Sequence, residues 1–293
     1  MKGNYHPGSI ILNMKPRYIK TEDGIRLAVW QVGDGGATPV VLTHGTFSNH
    51  MSCVGLAEHL ASKGFQSWIF DWRGHGASDR PLRPYTFDCV AVNDVTPIVD
   101  SILDWTGQSS LFWVGHSGGG LVISMWMSLF PELASTCVKG LALMAAQATS
   151  AADDVRHRIA IAAIDCFLRF RRTAPGHHLG IGPEPESAPL MRQWCRWNLR
   201  KSFTSNIGFD YLNGLAKVDK PVLALSGAGD RFIAPIAGCR ILLNAFGGND
   251  RSFVICGREH GFAEDYSHDG IVLSKNARRE LWPLISKWLI SRL

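Results

Sequence analysis

The sequence predicts an α/β fold: a mostly parallel sheet of eight strands with helices on both faces and a small helical insert. Three observations carry this. Short apolar runs alternate with stretches of helical period along most of the chain. A glycine-rich turn with a central serine, Gly115-His116-Ser117-Gly118-Gly119, stands between an apolar strand and an apolar helix. The alternation then breaks between about residues 148 and 217, where no strand pattern is seen, and resumes to the C-terminus.

Residues 10–33 read as a hairpin, because Asp23-Gly24 is a hairpin-turn dipeptide ahead of the strand pattern that begins at Ile25. Residues 39–43 form a buried strand, 56–63 a helix and 66–71 the next strand. Residues 93–105 place Val95, Ile98, Ile102 and Leu103 on one helical face. Strands follow at 110–114 and 138–144. In the insert, 155–172 has Ile159, Ala163, Phe167 and Phe170 at helical spacing, flanked by Arg156, Arg158, Arg169, Arg171 and Arg172. A Pro/Gly-rich loop comes next, and a second helix covers 191–201, carrying Trp194 and Trp197. A strand at 221–225, a helix at 235–245, a strand at 252–256 and a helix at 278–290 complete the series. The expected division is a core of 1–147 and 218–293 with a lid of 148–217, whose apolar faces would line the site.

The 293 residues are 46% hydrophobic and 19% charged, enough for one large core. No apolar run approaches the ~20 residues of a membrane span. The N-terminal residues lack a hydrophobic signal core, so a cytoplasmic protein is expected. The seven cysteines have no C-x-x-C pair, and most lie in apolar stretches, such as Cys166 and Cys256. They read as reduced core residues, without a disulfide frame or a metal site. The formal charge is +5, and residues 148–217 hold ten Lys/Arg against six Asp/Glu. That excess suits a solvated face or a mild preference for anionic substrates. A nucleic-acid surface would need a denser basic face with stacking aromatics. No phosphate-loop or dinucleotide fingerprint is present, so no cofactor is expected.

The chemistry centres on Ser117. A G-x-S-x-G turn between strand and helix strains the serine and lifts its hydroxyl from the sheet. It also places the Gly118 N–H at a helix N-terminus, where an oxyanion is stabilised. A serine hydroxyl needs a base, and that base an orienting acid. Asp230, in the glycine turn after the next-to-last strand, is the candidate acid, with Asp210 and Asp219 as rivals. Two histidines lie between the last strand and the last helix, His260 and His268. Distance from the strand favours His260. The loop after strand 39–43 offers the Thr46 N–H as second oxyanion donor, with His44 holding the loop. Residues Asp71 to Asp79 read as architecture, with Arg73 and Asp79 tying loops together. Phe47, His116, Phe170 and Trp197 are the expected substrate contacts.

Together, His44-Gly45, Asp71-x-Arg73-Gly74-His75-Gly76-x-Ser78-Asp79, the serine turn and Gly227-x-Gly229-Asp230 resemble the α/β-hydrolase superfamily over nearly the whole chain apart from the insert. The run Asp265-Tyr266-Ser267-His268, with Ala277 nine residues later and a Trp-rich helix behind, is similar to acid-lipase-like hydrolases. That resemblance implies His268 as the base. It departs from the family at Asp269, which follows the histidine directly where those enzymes usually carry the aspartate one place later. The implied activity is cleavage of a small-molecule carboxylic ester through Ser117, His268 and Asp230, with no cofactor. The same site would also serve an acyltransferase or an amide or carbon–carbon bond hydrolase. A non-catalytic binding protein is the rival from another class, and the oligomeric state is open.

Overall fold

Strands buried on both faces need apolar side chains at every position, and this is why the central runs show no alternation. The structure, a computed structural model, describes residues 15–33 and 38–293. β1 (Arg17–Lys20) and β2 (Arg26–Val32) form an antiparallel hairpin. Thr21 closes it, its Oγ1 accepting the Ile25 N–H at 3.0 Å. Residues 10–14 of the expected hairpin lie outside the described residues. β3 (Pro39–Thr43), α1 (Val54–Ser62), β4 (Gln66–Phe70), α2 (Phe87–Asn93) and α3 (Val95–Thr106) follow. Next come β5 (Leu111–His116), α4 (Gly118–Leu129), α5 (Pro131–Cys137) and β6 (Val138–Met144). The insert holds α6 (Val155–Leu168), β7 (Thr173–Ala174), α7 (Gly176–Leu179), β8 (Glu186–Ser187), α8 (Ala188–Arg200) and α9 (Tyr211–Leu215). The chain returns through β9 (Val222–Gly227), α10 (Ile236–Ala245), β10 (Arg251–Cys256), α11 (Gly270–Leu273) and α12 (Lys275–Ile290).

Eight strands lie in the order β1-β2-β4-β3-β5-β6-β9-β10. β1 to β2 and β2 to β4 pair antiparallel, and every other pair is parallel. Successive strand residues feed opposite faces. Val41 and Trp113 join a core with α2, α3 and α4, while Val40, Leu42, Phe112 and Val114 join one with α1 and α12. The helix expected over 93–105 is α3, and the short α2 ahead of it carried no signal in the sequence. Thr86 caps α2 through its Oγ1 at the Cys89 N–H, and Asp94 marks the break before α3.

The insert differs from its expected packing in two ways. Ile159, Phe167 and Phe170 do share a side, but it faces outward: they are 67%, 51% and 88% exposed. The inner face of α6 is Ile161, Asp165 and Leu168. Asp165 accepts the Arg192 Nε–H of α8 at 3.0 Å, which turns that side toward α8. Cys166, expected in the core, is therefore exposed on α6. The ribbon of β7 and β8 is a short pairing that the strand pattern did not signal. Beyond α8, Phe203, Tyr211 and Leu215 belong to the core beneath α4.

Candidate active site

Ser117 sits between β5 and α4 with φ 53° and ψ −122°, a conformation that L-residues adopt only when their surroundings enforce it. The enforcement is close packing. A Cβ at Gly119 would come 2.5 Å from the Thr43 carbonyl oxygen, and one at Gly115 would meet the Gly120 backbone at 2.6 Å. The Ser117 N–H donates to Met144 O at 2.8 Å, tying the turn to β6.

The loop after β10 brings His268 to this serine. His268 Nε2 lies 2.8 Å from Ser117 Oγ, and Nδ1 lies 2.5 Å from Asp230 Oδ2. A carboxylate accepts, so Nδ1 carries the proton and Nε2 receives the serine O–H. Asp230 Oδ1 also accepts the N–H groups of Ile233 and Ala234, each at 3.0 Å. Burial pushes its carboxyl up, but His268 and these two donors outweigh that and leave it below the usual carboxylate value. His116 donates from Nε2 to the His268 carbonyl oxygen at 2.9 Å. Burial, then the His268 charge, lowers His116 to about 3, so it stays neutral. Tyr266 anchors the loop: it is fully buried, its hydroxyl donates to Glu280 Oε2 at 2.6 Å, and its carbonyl accepts the Gly229 N–H at 3.0 Å. His260 sits on an exposed turn, Arg258–His260, and meets neither Ser117 nor Asp230. Asp210 instead caps α9 through the Leu212 and Asn213 N–H groups.

The loop from His44 to Asn49 packs against the serine turn. A Cβ at Gly45 would come 3.0 Å from Ser117 Cβ, and one at Gly118 would lie 3.2 Å from Thr46 Cγ2. Thr46 and Gly118 are thus neighbours beside Ser117. His44 is buried and burial drives it down to about 4, so it is neutral. Its Nδ1 meets Gly45 O at 2.8 Å and its Nε2 accepts the Trp72 N–H at 3.3 Å. Asp71 meets the His50 ring and accepts the N–H of Ala77 and the Trp30 indole N–H. Arg73 bridges Asp23 and Asp94, and Asp79 pairs with Arg26.

Sequence reading missed two carboxylates, Glu184 and Glu186. Phe47 has φ 61°, and it is held from both sides. Its N–H donates to Glu186 Oε2 at 3.3 Å, and its carbonyl accepts the Glu184 N–H at 3.0 Å. Glu184 also takes the Asn49 amide at 2.8 Å and Arg80 at 2.9 Å. Glu186 is fully buried beside His75, whose Nε2 lies 3.2 Å from Glu186 Oε2. Burial opposes both charges, yet each partner favours the other's: His75 rises above 6.5 and Glu186 falls below 4.5. No local pattern marks these residues, because their partners Phe47 and Asn49 lie 139 and 135 positions away.

Glu186→Gln is expected to cost about 3–5 kcal/mol of unfolding free energy near neutral pH, the range for removing one partner of a buried ion pair. Denaturant unfolding measures it. The sign of the pH dependence follows from the shifts. The Glu186 contribution is present above 4.5 and lost as pH falls through its lower folded value. The His75 contribution is full below 6.5 and lost as pH rises through its higher folded value. The wild type should therefore lose stability on that alkaline limb, and the variant should lose less there.

Ser117 and His268 open into a cavity of about 510 Å³, to which Phe47, His116, Ile164, Met191, Trp194 and Phe232 contribute. Two expected contacts are elsewhere. Phe170 stands out in solvent beyond the end of α6. Trp197 is buried away from the cavity, its ring 5.2 Å from Phe87 and 4.8 Å from Phe203. On α8 the neighbouring turn supplies Met191 and Trp194 instead. His116, His268 and Asp269 bring possible metal-ligand atoms within 4.8 Å of one another. The His268 nitrogens already serve Ser117 and Asp230, and His116 Nε2 serves a carbonyl, so the trio is poorly suited to hold an ion. A larger cleft of about 620 Å³, beside Phe130, Phe209 and Lys217, contains none of these residues.

A serine on a strand–turn–helix elbow, facing a histidine and an aspartate at the ends of parallel strands, defines a class of protein. A profile of the family described as alpha/beta hydrolase fold matches residues 38–162. The AB hydrolase superfamily protein YisY of Bacillus subtilis is 28% identical over 230 residues, 74% of this chain and 82% of YisY. Protein phosphatase methylesterase 1 of Candida albicans is 33% identical over 156 residues. That match covers 53% of this chain and only 37% of the methylesterase. An esterase structure from Exiguobacterium antarcticum superposes with a TM-score of 0.68 at 16% identity, covering 94% of this chain and 99% of that one. The chain has the α/β-hydrolase fold.

Proposed function

We propose that the protein is a serine hydrolase cleaving carboxylic esters of small to medium, partly apolar substrates. One observation carries the reading: the unbroken contact line Asp230–His268–Ser117 ending in a cavity walled by Phe47, Met191, Trp194 and Phe232. Ser117 Oγ attacks the acyl carbon while His268 Nε2 takes its proton. The Thr46 and Gly118 N–H groups receive the developing oxyanion. The C–O bond to the alcohol breaks, and His268 passes its proton to the leaving oxygen. Water then attacks the acyl-enzyme, gives its proton to His268, and releases the acid as Ser117 Oγ regains a proton. Asp230 holds the imidazole in the required tautomer throughout. The names of the methylesterase and the esterase above support an ester as the substrate. Residues 148–200 act as a lid over this cavity, since Ile164, Met191 and Trp194 come from α6 and α8.

A p-nitrophenyl ester series from acetate to decanoate tests the reading, with fluorophosphonate labelling of Ser117 as a substrate-independent check. A folded protein that neither turns over any of these esters nor takes up the probe would overturn it. Trp194→Ala is expected to raise kcat/KM for long chains over acetate by about tenfold, the low end of what one substrate methylene is worth in an apolar pocket. An equal change at every chain length would show that Trp194 does not shape the acyl site.

A further inference from the structure

The outward face of α6 is apolar where a helix lying on a protein surface normally shows polar groups to water. Val155, Ile159 and Phe167 are 69%, 67% and 51% exposed, and Phe170 stands just beyond the helix end. Ala162, Ala163 and Cys166 are exposed between them. By the three- and four-residue spacing of a helix these positions share one side, opposite the buried Ile161, Asp165 and Leu168. At 1.5 Å per residue the fourteen residues of α6 make a stripe about 21 Å long.

Arginines stand at both ends of the stripe. Arg156 and Arg158 lie in the first turns of α6, and Arg169, Arg171 and Arg172 follow its last turn. Asp165, the sole acid within α6, points inward and is engaged by Arg192 and Arg169. Asp154 is spent as the α6 N-cap and Asp153 pairs with Lys201. Arg171 lies over the Phe167 ring at 4.8 Å, so a cation and an aromatic face outward together.

The apolar surface runs on to the cavity mouth. Ile164 belongs to both α6 and the cavity wall. The His157 ring of α6 packs 4.6 Å from Phe232, a wall residue. Ile181, Ile233 and Leu273 also line the cavity and are 49%, 37% and 50% exposed. At the other end of α6, Arg172 donates to the carbonyl of Leu82, which is 91% exposed.

We propose that α6 docks on an anionic lipid surface, its apolar stripe entering the headgroup region and its terminal arginines meeting acidic headgroups. Charge decides between the available occupants. A second copy of this chain on the same two-fold face would set arginine-rich ends near one another, whereas an anionic layer satisfies Arg156, Arg158, Arg171 and Arg172 and adds to the Asp165 partner of Arg169. A helix lying in the interface, apolar on one side with basic residues at its margins, is a known mode of peripheral attachment. Lys and Arg extend their alkyl stems along the apolar layer and keep the charge at its edge. Attachment here needs no spanning segment, and among the described residues no helix is long and apolar enough to cross a membrane.

Vesicle co-sedimentation tests this without any assay of activity, so its outcome is separate from that of the hydrolase reading. The full chain is mixed with vesicles of phosphatidylcholine alone, or of phosphatidylcholine with 30% phosphatidylglycerol. Wild type is expected to pellet with the anionic vesicles and to lose binding as salt rises. Ile159→Ser/Phe167→Ser should lower the partition coefficient at least tenfold; both side chains are exposed, and an unchanged circular-dichroism melt checks the fold. Arg156→Gln/Arg158→Gln should lower it about fivefold per charge on anionic vesicles. Three results would overturn the proposal: wild type left in the supernatant with both vesicles; a serine variant that binds like wild type; or a wild type that is dimeric by analytical ultracentrifugation with a monomeric serine variant, which would make the stripe a subunit interface.

Discussion

Replacing Ser117 by alanine is expected to abolish ester turnover while leaving the fold unchanged. On the proposed mechanism this hydroxyl forms the covalent intermediate, and loss of such a nucleophile in a serine hydrolase costs on the order of 10⁶-fold in kcat. The fold should tolerate the change. The strained backbone at φ 53° already carries a Cβ, so alanine meets the same sterics, and the lost hydroxyl's contact is with His268 at the half-buried cavity floor. Single-turnover kinetics on an activated ester, with thermal unfolding as control, measures both. Fluorophosphonate labelling or near-normal turnover in Ser117→Ala would remove the mechanism.

His268→Ala should be nearly as damaging, with kcat/KM down by about 10⁴-fold or more. The residue both takes the serine proton and returns it to the leaving group, so its loss exceeds the ~10²–10⁴-fold typical of general-base catalysis alone. His260→Ala is the matched control. Its side chain is exposed on the turn after β10 and touches neither Ser117 nor Asp230, so its activity should stay within about twofold of wild type, the small effect expected of an isolated surface change. If His260→Ala were folded and inactive while His268→Ala kept its activity, the contacts in the loop after β10 would not describe the working enzyme. Ester hydrolysis through Ser117 could then still hold with a different base.

Local sequence determined much of this protein. Turn chemistry marks the β5–α4 elbow at Ser117 and the glycine turn that carries Asp230, because glycine spacing acts within a few residues. Apolar period marks the strands and helices of the sheet layers, because burial on one or both faces writes itself into consecutive side chains. Which histidine meets the serine was not local. Two candidates eight residues apart satisfied the same loop, and only the anchoring of Tyr266 against Glu280 and Gly229 carries the chain back so that His268 reaches a serine 151 positions away. The orientation of α6 was not local either. Both its sides are rich in apolar residues, so periodicity finds the helix without saying which side is covered; the Asp165–Arg192 pair with α8 settles that. The same partnership carries Met191 and Trp194 to the cavity while Trp197 turns into the core. Glu184 and Glu186 gave no signal at all, since a carboxylate in a Pro-rich loop looks solvated until the fold seals it against His75 and the Phe47 backbone. Sequence thus determines what depends on neighbours along the chain, and tertiary structure decides what depends on which distant surfaces exclude water together.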